Sequence, residues 1–155
     1  TIGHFWLRRD AATILGTRLR IDAIVPNGDV SNNGFVPSTG TSLTACIDEL
    51  PQSATDYIQA GDVGDDAVFD LSPLPVTPTN IYGINVVGWA QKLDNATRAY
   101  ALGIKSGATT SDGPNKTLLT ANTIATRIVE TDPDTGVAFT LAGLNALQLA
   151  PKITV

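Results

Sequence analysis

The chain has 155 residues and a mass of 16.2 kDa, enough for one domain with a real core and too little for two. Its formal charge of −5 and pI near 4.6 exclude the basic stripe with which a nucleic-acid binder displaces counterions from phosphates. Cys46 is the only cysteine, which excludes an intramolecular disulfide and a zinc site built from thiolates. Hydrophobic residues make up 43% and charged residues 16%, with abundant Gly, Pro, Thr, Ser and Asn, a mix that suits short strands joined by tight turns. No apolar run is long enough to span a bilayer, and the first residues lack the pattern of a signal peptide. A soluble, all-β chain assembled in a reducing compartment is therefore expected, with Cys46 as a small buried hydrophobe.

Taken in order, Thr1–Arg9 opens with Ile2, Phe5, Trp6 and Leu7, an apolar and aromatic run ended by Arg8-Arg9-Asp10. It reads as a terminal strand or as an arm that docks on a neighbour. His4, the only histidine, has no second His or Cys with which to share a metal. Thr17–Val25 alternates, with Leu19, Ile21, Ala23 and Val25 on one face and Arg18, Arg20 and Asp22 on the other, which predicts a half-buried strand. Pro26-Asn27-Gly28-Asp29 predicts a turn and Val30–Ser42 a long loop. A loop of that length in a compact domain is usually functional or ordered by a partner, which makes Asn27–Ser42 a candidate contact surface. Ile2, Phe5, Trp6 and Leu7 of the arm and Asn32, Asn33 and Phe35 of the loop are thus the candidate interface residues. Residues 1–42 are expected to pack on or beside a sandwich formed by residues 43–155, in one globular unit.

Leu43–Ile47 is predicted as the next strand, ended by Asp48-Glu49-Leu50-Pro51. Adjacent Asp48 and Glu49 would point to opposite faces of an extended chain, so they make no catalytic pair. Short strands follow at Asp56-Tyr57-Ile58 and Ala67–Leu71. Between them, Asp62, Asp65 and Asp66 offer hard oxygen ligands but lack EF-hand spacing, and an acidic turn without metal is the commoner meaning. Pro73, Pro75 and Pro78 make Ser72–Thr79 an extended connector suited to a crossover between sheets. Ile81–Leu93 and Arg98–Lys105, joined by Asp94-Asn95-Ala96-Thr97, predict a hairpin. Trp89 and Tyr100 on its arms read as core or sheet-face aromatics, with carbohydrate stacking as the sharper alternative.

Ser106–Asn115 reads as a turn or exposed loop. Ile124–Val129 predicts a strand entering a turn at Asp132-Pro133-Asp134-Thr135-Gly136, where Pro133 presets φ and Gly136 accepts positive φ. Phe139 then supplies a large side chain for burial, Leu141–Leu144 one helical turn, and Asn145–Val155 a closing strand with Leu147, Leu149, Ile153 and Val155. No phosphate-binding loop, nucleophile elbow, histidine cluster or internal repeat is present in the sequence.

The run Glu130-Thr131-Asp132-Pro133-Asp134-Thr135-Gly136, Phe139-Thr140 and then Ala142-Gly143-Leu144-Asn145-Ala146-Leu147-Gln148-Leu149 resembles a recurrent signature of small virion-associated structural proteins of tailed bacteriophages. Ile47-Asp48-Glu49-Leu50-Pro51, Asp56-Tyr57-Ile58 and Phe69-Asp70-Leu71 resemble its earlier segments, in the same order. The resemblance spans about Leu43 to Val155, and Phe139 stands where the pattern often has Trp. It implies a single jelly-roll-like antiparallel β-sandwich with an N-terminal extension, no catalytic residues, no cofactor and no metal. It further implies a capsid decoration or neck or tail accessory protein, assembled in the bacterial cytoplasm, that forms a homo-oligomer and contacts other virion proteins. A carbohydrate-binding module using Trp89 or Tyr100 for host attachment is the alternative. A glycosidase with paired carboxylates is a third class that no motif supports.

Overall fold

The computed structural model describes residues 20–155. The arm residues Ile2, Phe5, Trp6 and Leu7, and the first part of the strand expected at Thr17–Val25, lie outside the described residues. The elements are β1 (Pro26–Asn33), β2 (Val36–Pro37), a 3₁₀ turn (Thr44–Cys46), β3 (Ile58–Gln59), β4 (Asp66–Leu71), β5 (Ile84–Ala90), β6 (Ala99–Ser106), β7 (Thr109–Ser111), β8 (Lys116–Thr117), β9 (Thr123–Val129), α1 (Leu141–Asn145) and β10 (Gln148–Ile153). Every strand pair is antiparallel, so the protein is all-β, as its composition implied.

One sheet holds six strands in the order β1-β4-β10-β6-β7, with β8 also paired to β6. β10 lies in its middle, with Leu149 opposite both Phe69 on β4 and Ile104 on β6. It carries Pro151, which has no N–H to give. Its pairing with β6 is continuous, whereas its pairing with β4 skips from Leu149 to Lys152, so the missing donor is absorbed on the β4 side. Across from Ala150 lies Gly103, where a Cβ would collide with the Ala150 carbonyl oxygen. Glycine is what lets these two strands run side by side.

Two layers cover one face of this sheet. Over β1, β4 and β10, Phe35 and Leu43 pack on Ala67 and Phe69, with Ile47, Ile58, Leu149 and Ile153 around them. Over β6 lies a two-stranded ribbon in which β5 pairs with β9 from Ile84↔Val129 to Ala90↔Thr123. Its inner residues Ile84, Val86, Ala90, Ala125 and Val129 meet Tyr100, Leu102 and Ile104, and Phe139, Leu144 and Leu147 fill the end of the same core. Phe139 and the helical turn α1 thus do what was expected of them: Phe139 is buried, and Thr140 Oγ1 accepts from the Gly143 N–H to cap α1.

Four local expectations are corrected. Arg20–Val25 is not a strand in the structure. Ile21 is 84% exposed, and the alternation found no partner beyond the mutual bonds of Val25 and Ser72. Pro26–Asp29 is not a turn but the start of β1, where register shifts after Pro26 and Asp29 absorb the turn-like residues in an edge strand that tolerates proline. Leu43–Ile47 forms a 3₁₀ turn instead of a strand, because the Asp29 carboxylate gathers the Leu43 and Thr44 N–H groups and the Ser42 and Thr44 hydroxyls. The predicted hairpin of Ile81–Leu93 with Arg98–Lys105 does not form: β5 pairs with β9, and β6 joins the large sheet beside β10. β6 is buried on both faces over most of its length, a position that the middle of a covered sheet provides and a free hairpin does not.

The turn at 132–136 forms as read. The Asp132 N–H donates to the Val137 carbonyl, the Gly136 N–H donates back to the Asp132 carbonyl, and Gly136 has φ of 71°. Asp132 Oδ1 accepts from the Asp134 N–H, and Asp134 accepts from the Thr109 hydroxyl at 2.8 Å, which ties the turn to the β6–β7 hairpin. Cys46 is buried, with Sγ 3.5 Å from the Thr39 carbonyl oxygen, and presents no exposed sulfur to another chain.

Candidate interaction surface

The ribbon carries apolar residues on both of its faces. Along β5, Ile84, Val86, Gly88 and Ala90 turn inward, and Asn85, Val87 and Trp89 turn out. Along β9, Ala125, Arg127 and Val129 turn inward, and Ile124, Thr126 and Ile128 turn out. Registration places these outward side chains in three cross-strand pairs: Asn85 with Ile128, Val87 with Thr126, and Trp89 with Ile124. None of the six is charged. Val87, Trp89, Ile124 and Ile128 are 52%, 48%, 49% and 71% exposed, which together leaves on the order of 400 Å² of apolar side chain in water, the size of a functional patch.

The ribbon is held firmly from below. At Gly88 it comes so close to the sheet that a Cβ would stand 2.7 Å from Leu102 Cδ2. The Tyr100 hydroxyl donates to the Gly88 carbonyl at 3.0 Å, and burial of Tyr100 pushes its phenol above the ordinary value. On β9, Arg127 donates to the Leu102 carbonyl at 3.1 Å and to the Ser111 hydroxyl at 2.6 Å. Its guanidinium lines a cleft of about 250 Å³ beside Lys116 and Ile124, but its donors are committed to joining ribbon and sheet. The outward face is therefore a fixed surface on a well-anchored element.

The residues expected to act are distributed differently. Phe35, a candidate interface residue, is only 8% exposed and belongs to the core around Phe69. Asn32 closes its own turn, its amide donating to the Phe35 carbonyl at 2.8 Å and accepting from the Phe35 N–H at 2.9 Å. Asn33 is exposed and reaches only the Gly64 carbonyl at 3.5 Å. Val30–Asn33 of the expected loop belongs to β1 and Val36–Pro37 to β2, so the stretch Asn27–Ser42 is in part built into the fold.

Trp89 and Tyr100 are not brought together on one surface. They belong to different layers, Trp89 outward on the ribbon and Tyr100 beneath it, 5% exposed with its hydroxyl engaged. The acidic turn has a local role too, since Asp65 Oδ2 accepts from the N–H groups of Gly61 and Asp62. Among the described residues no group of three or more His, Cys, Asp or Glu side chains is placed to hold a metal ion. No helix among them is long and apolar enough to cross a membrane.

Val87, Ile124 and Ile128 were not singled out in the sequence, although a signal was there. Ile84 and Val86 share one phase of the strand and Val87 and Trp89 the other, and a strand apolar in both phases expects cover on both faces. The chain matches no protein family, no curated protein and no solved structure.

Proposed function

We propose that this chain is a non-enzymatic structural component of a tailed-phage virion, a capsid decoration or a neck or tail accessory protein. In this reading it assembles in the bacterial cytoplasm, acts through protein–protein contacts, and is present as a homo-oligomer. The observation that carries the contact-making role is the uncharged outer face of the β5–β9 ribbon, with Val87, Trp89, Ile124 and Ile128 in water. An apolar face on a rigid element gains free energy only when another surface covers it. The phage assignment itself rests on the resemblance of residues 43–155.

Two further features support the reading. The strand connection from β5 in the ribbon to β6 in the large sheet changes layers, as a jelly-roll-like sandwich requires. Repetition of one chain on a lattice would also multiply weak contacts, so a patch of modest area suffices. The test is a cryo-EM reconstruction of phage particles from the source of the sequence. The expected result is density for this chain on capsid, neck or tail, with Trp89 and Ile124 against a neighbouring subunit. Absence of the chain from the particle refutes the virion role.

A further inference from the structure

We propose that the ribbon face is the seat for the segment Ile2–Leu7 of a neighbouring copy of this chain. The inference rests on the contact-making role proposed above and names the occupant of its surface. Area argues first. A patch on the order of 400 Å² is about half of the 800 Å² that each partner contributes to a standard stable interface, so two ribbons placed face to face fall short of a dimer. A short apolar segment matches a surface two strands wide.

Sequence argues next. Residues 1–19 lie outside the described part, and within them Ile2, Phe5, Trp6 and Leu7 supply large apolar side chains with no charge among them. Arg8 and Arg9 follow at once. On the ribbon, the uncharged face ends at Ile128 and is followed by exposed Glu130, so Leu7 at the Ile128 end would bring both arginines to an acid at the rim.

Topology selects a neighbour as donor. The chain joins the large sheet at β1, the edge strand separated from β6 by β4 and β10, whereas the ribbon lies over β6. The layer of Phe35, Leu43 and Ile58 covers the same sheet face between them, so a chain's own segment would have to climb over that layer. The thirteen residues from Leu7 to Arg20 reach about 40 Å when extended, which lets the segment leave its own body for the next one.

The test uses the full chain with a benzophenone amino acid in place of Trp6, made as a one-to-one mixture of light and heavy isotope forms. Photo-cross-linked peptides are then mapped by mass. The expected result is cross-links from position 6 into residues 84–90 or 123–129 that pair light with heavy chains. The double variant Trp89→Thr/Ile124→Thr should lower their yield about tenfold while keeping its thermal unfolding transition. Cross-links that join only chains of one isotope, or that fall elsewhere on the surface, overturn the proposal. Cross-links elsewhere with the chain present in particles defeat this inference alone, whereas absence from particles defeats the virion role.

Discussion

Asp29 shows how one side chain sets a stretch of backbone. Its carboxylate accepts from the N–H groups of Leu43 at 3.0 Å and Thr44 at 2.7 Å and from the Ser42 hydroxyl, which curls residues 43–46 into a 3₁₀ turn and delivers Leu43 to the core over Phe69. Partial desolvation pushes its pKa up, and the hydrogen bonds from Thr44, Leu43 and Ser42 outweigh that and hold it below the ordinary 3.8. A lowered folded pKa contributes stability above the unfolded value and loses it as pH falls through the folded one. Water reaches this carboxylate, so Asp29→Asn should cost only about 1 kcal/mol at pH 7. Urea unfolding of both proteins tests this: the gap between them should narrow as pH falls below the ordinary 3.8 and through the lower folded value. An unchanged gap at low pH would place the stabilisation elsewhere.

At the scale of elements, the β5–β9 ribbon has an anchored inner side and an exposed outer one. Tyr100 and Arg127 fasten its inner side, and Trp89 and Ile124 occupy its outer side. Substitutions on the two sides should therefore have opposite signatures. Tyr100→Phe removes a buried hydrogen bond to the Gly88 carbonyl and should cost about 1 kcal/mol of stability with self-association unchanged. Trp89→Thr keeps a strand-compatible residue, should cost less than about 1 kcal/mol, and should weaken self-association. Thermal unfolding together with sedimentation of both variants distinguishes them, and a loss of association in Tyr100→Phe with Trp89→Thr unaffected would reverse the assignment of the two sides. The failed hairpin belongs to this scale as well. Both arms were recognisable as strands, but the partner of β5 is β9, which begins more than thirty residues further on, and local pattern does not match strands so far apart.

For the whole molecule, the all-β class followed from composition, the strand at Ile124–Val129 from an apolar and polar run bounded by turn residues, Ala67–Leu71 from an apolar run after an acidic turn, and the closing strand from Leu147, Leu149 and Ile153. The turn at 132–136 was legible because its residues act on their own backbone. What was not legible depends on distant partners: Asp29 reaching residues 42–44, the irregular β1 zipped to β4, and the ribbon assembled from strands separated by more than thirty residues. The candidate surface was half visible, through Trp89, while its other apolar members waited on the β5–β9 register.

The position of β10 has a consequence in time. On one side of it stand β1 and β4, on the other β6, β7 and β8, and no strand but β10 joins them into one sheet. Among the described strands β10 comes last in chain order, so a ribosome completes the others before the one that unites them. Until residues 148–153 emerge, the edges of β4 and β6, which carry Phe69, Tyr100, Leu102 and Ile104, remain unpaired, which is the hazard of slow, long-range β pairing. A chain released before Gln148 should lack a cooperative unfolding transition and should be digested rapidly by protease, whereas a chain carried through Val155 should resist. Equal resistance of the two would show that the halves close without their central strand. A copy stopped before β10 therefore lacks the strand on which both halves of the large sheet close, and with it the finished platform beneath the ribbon.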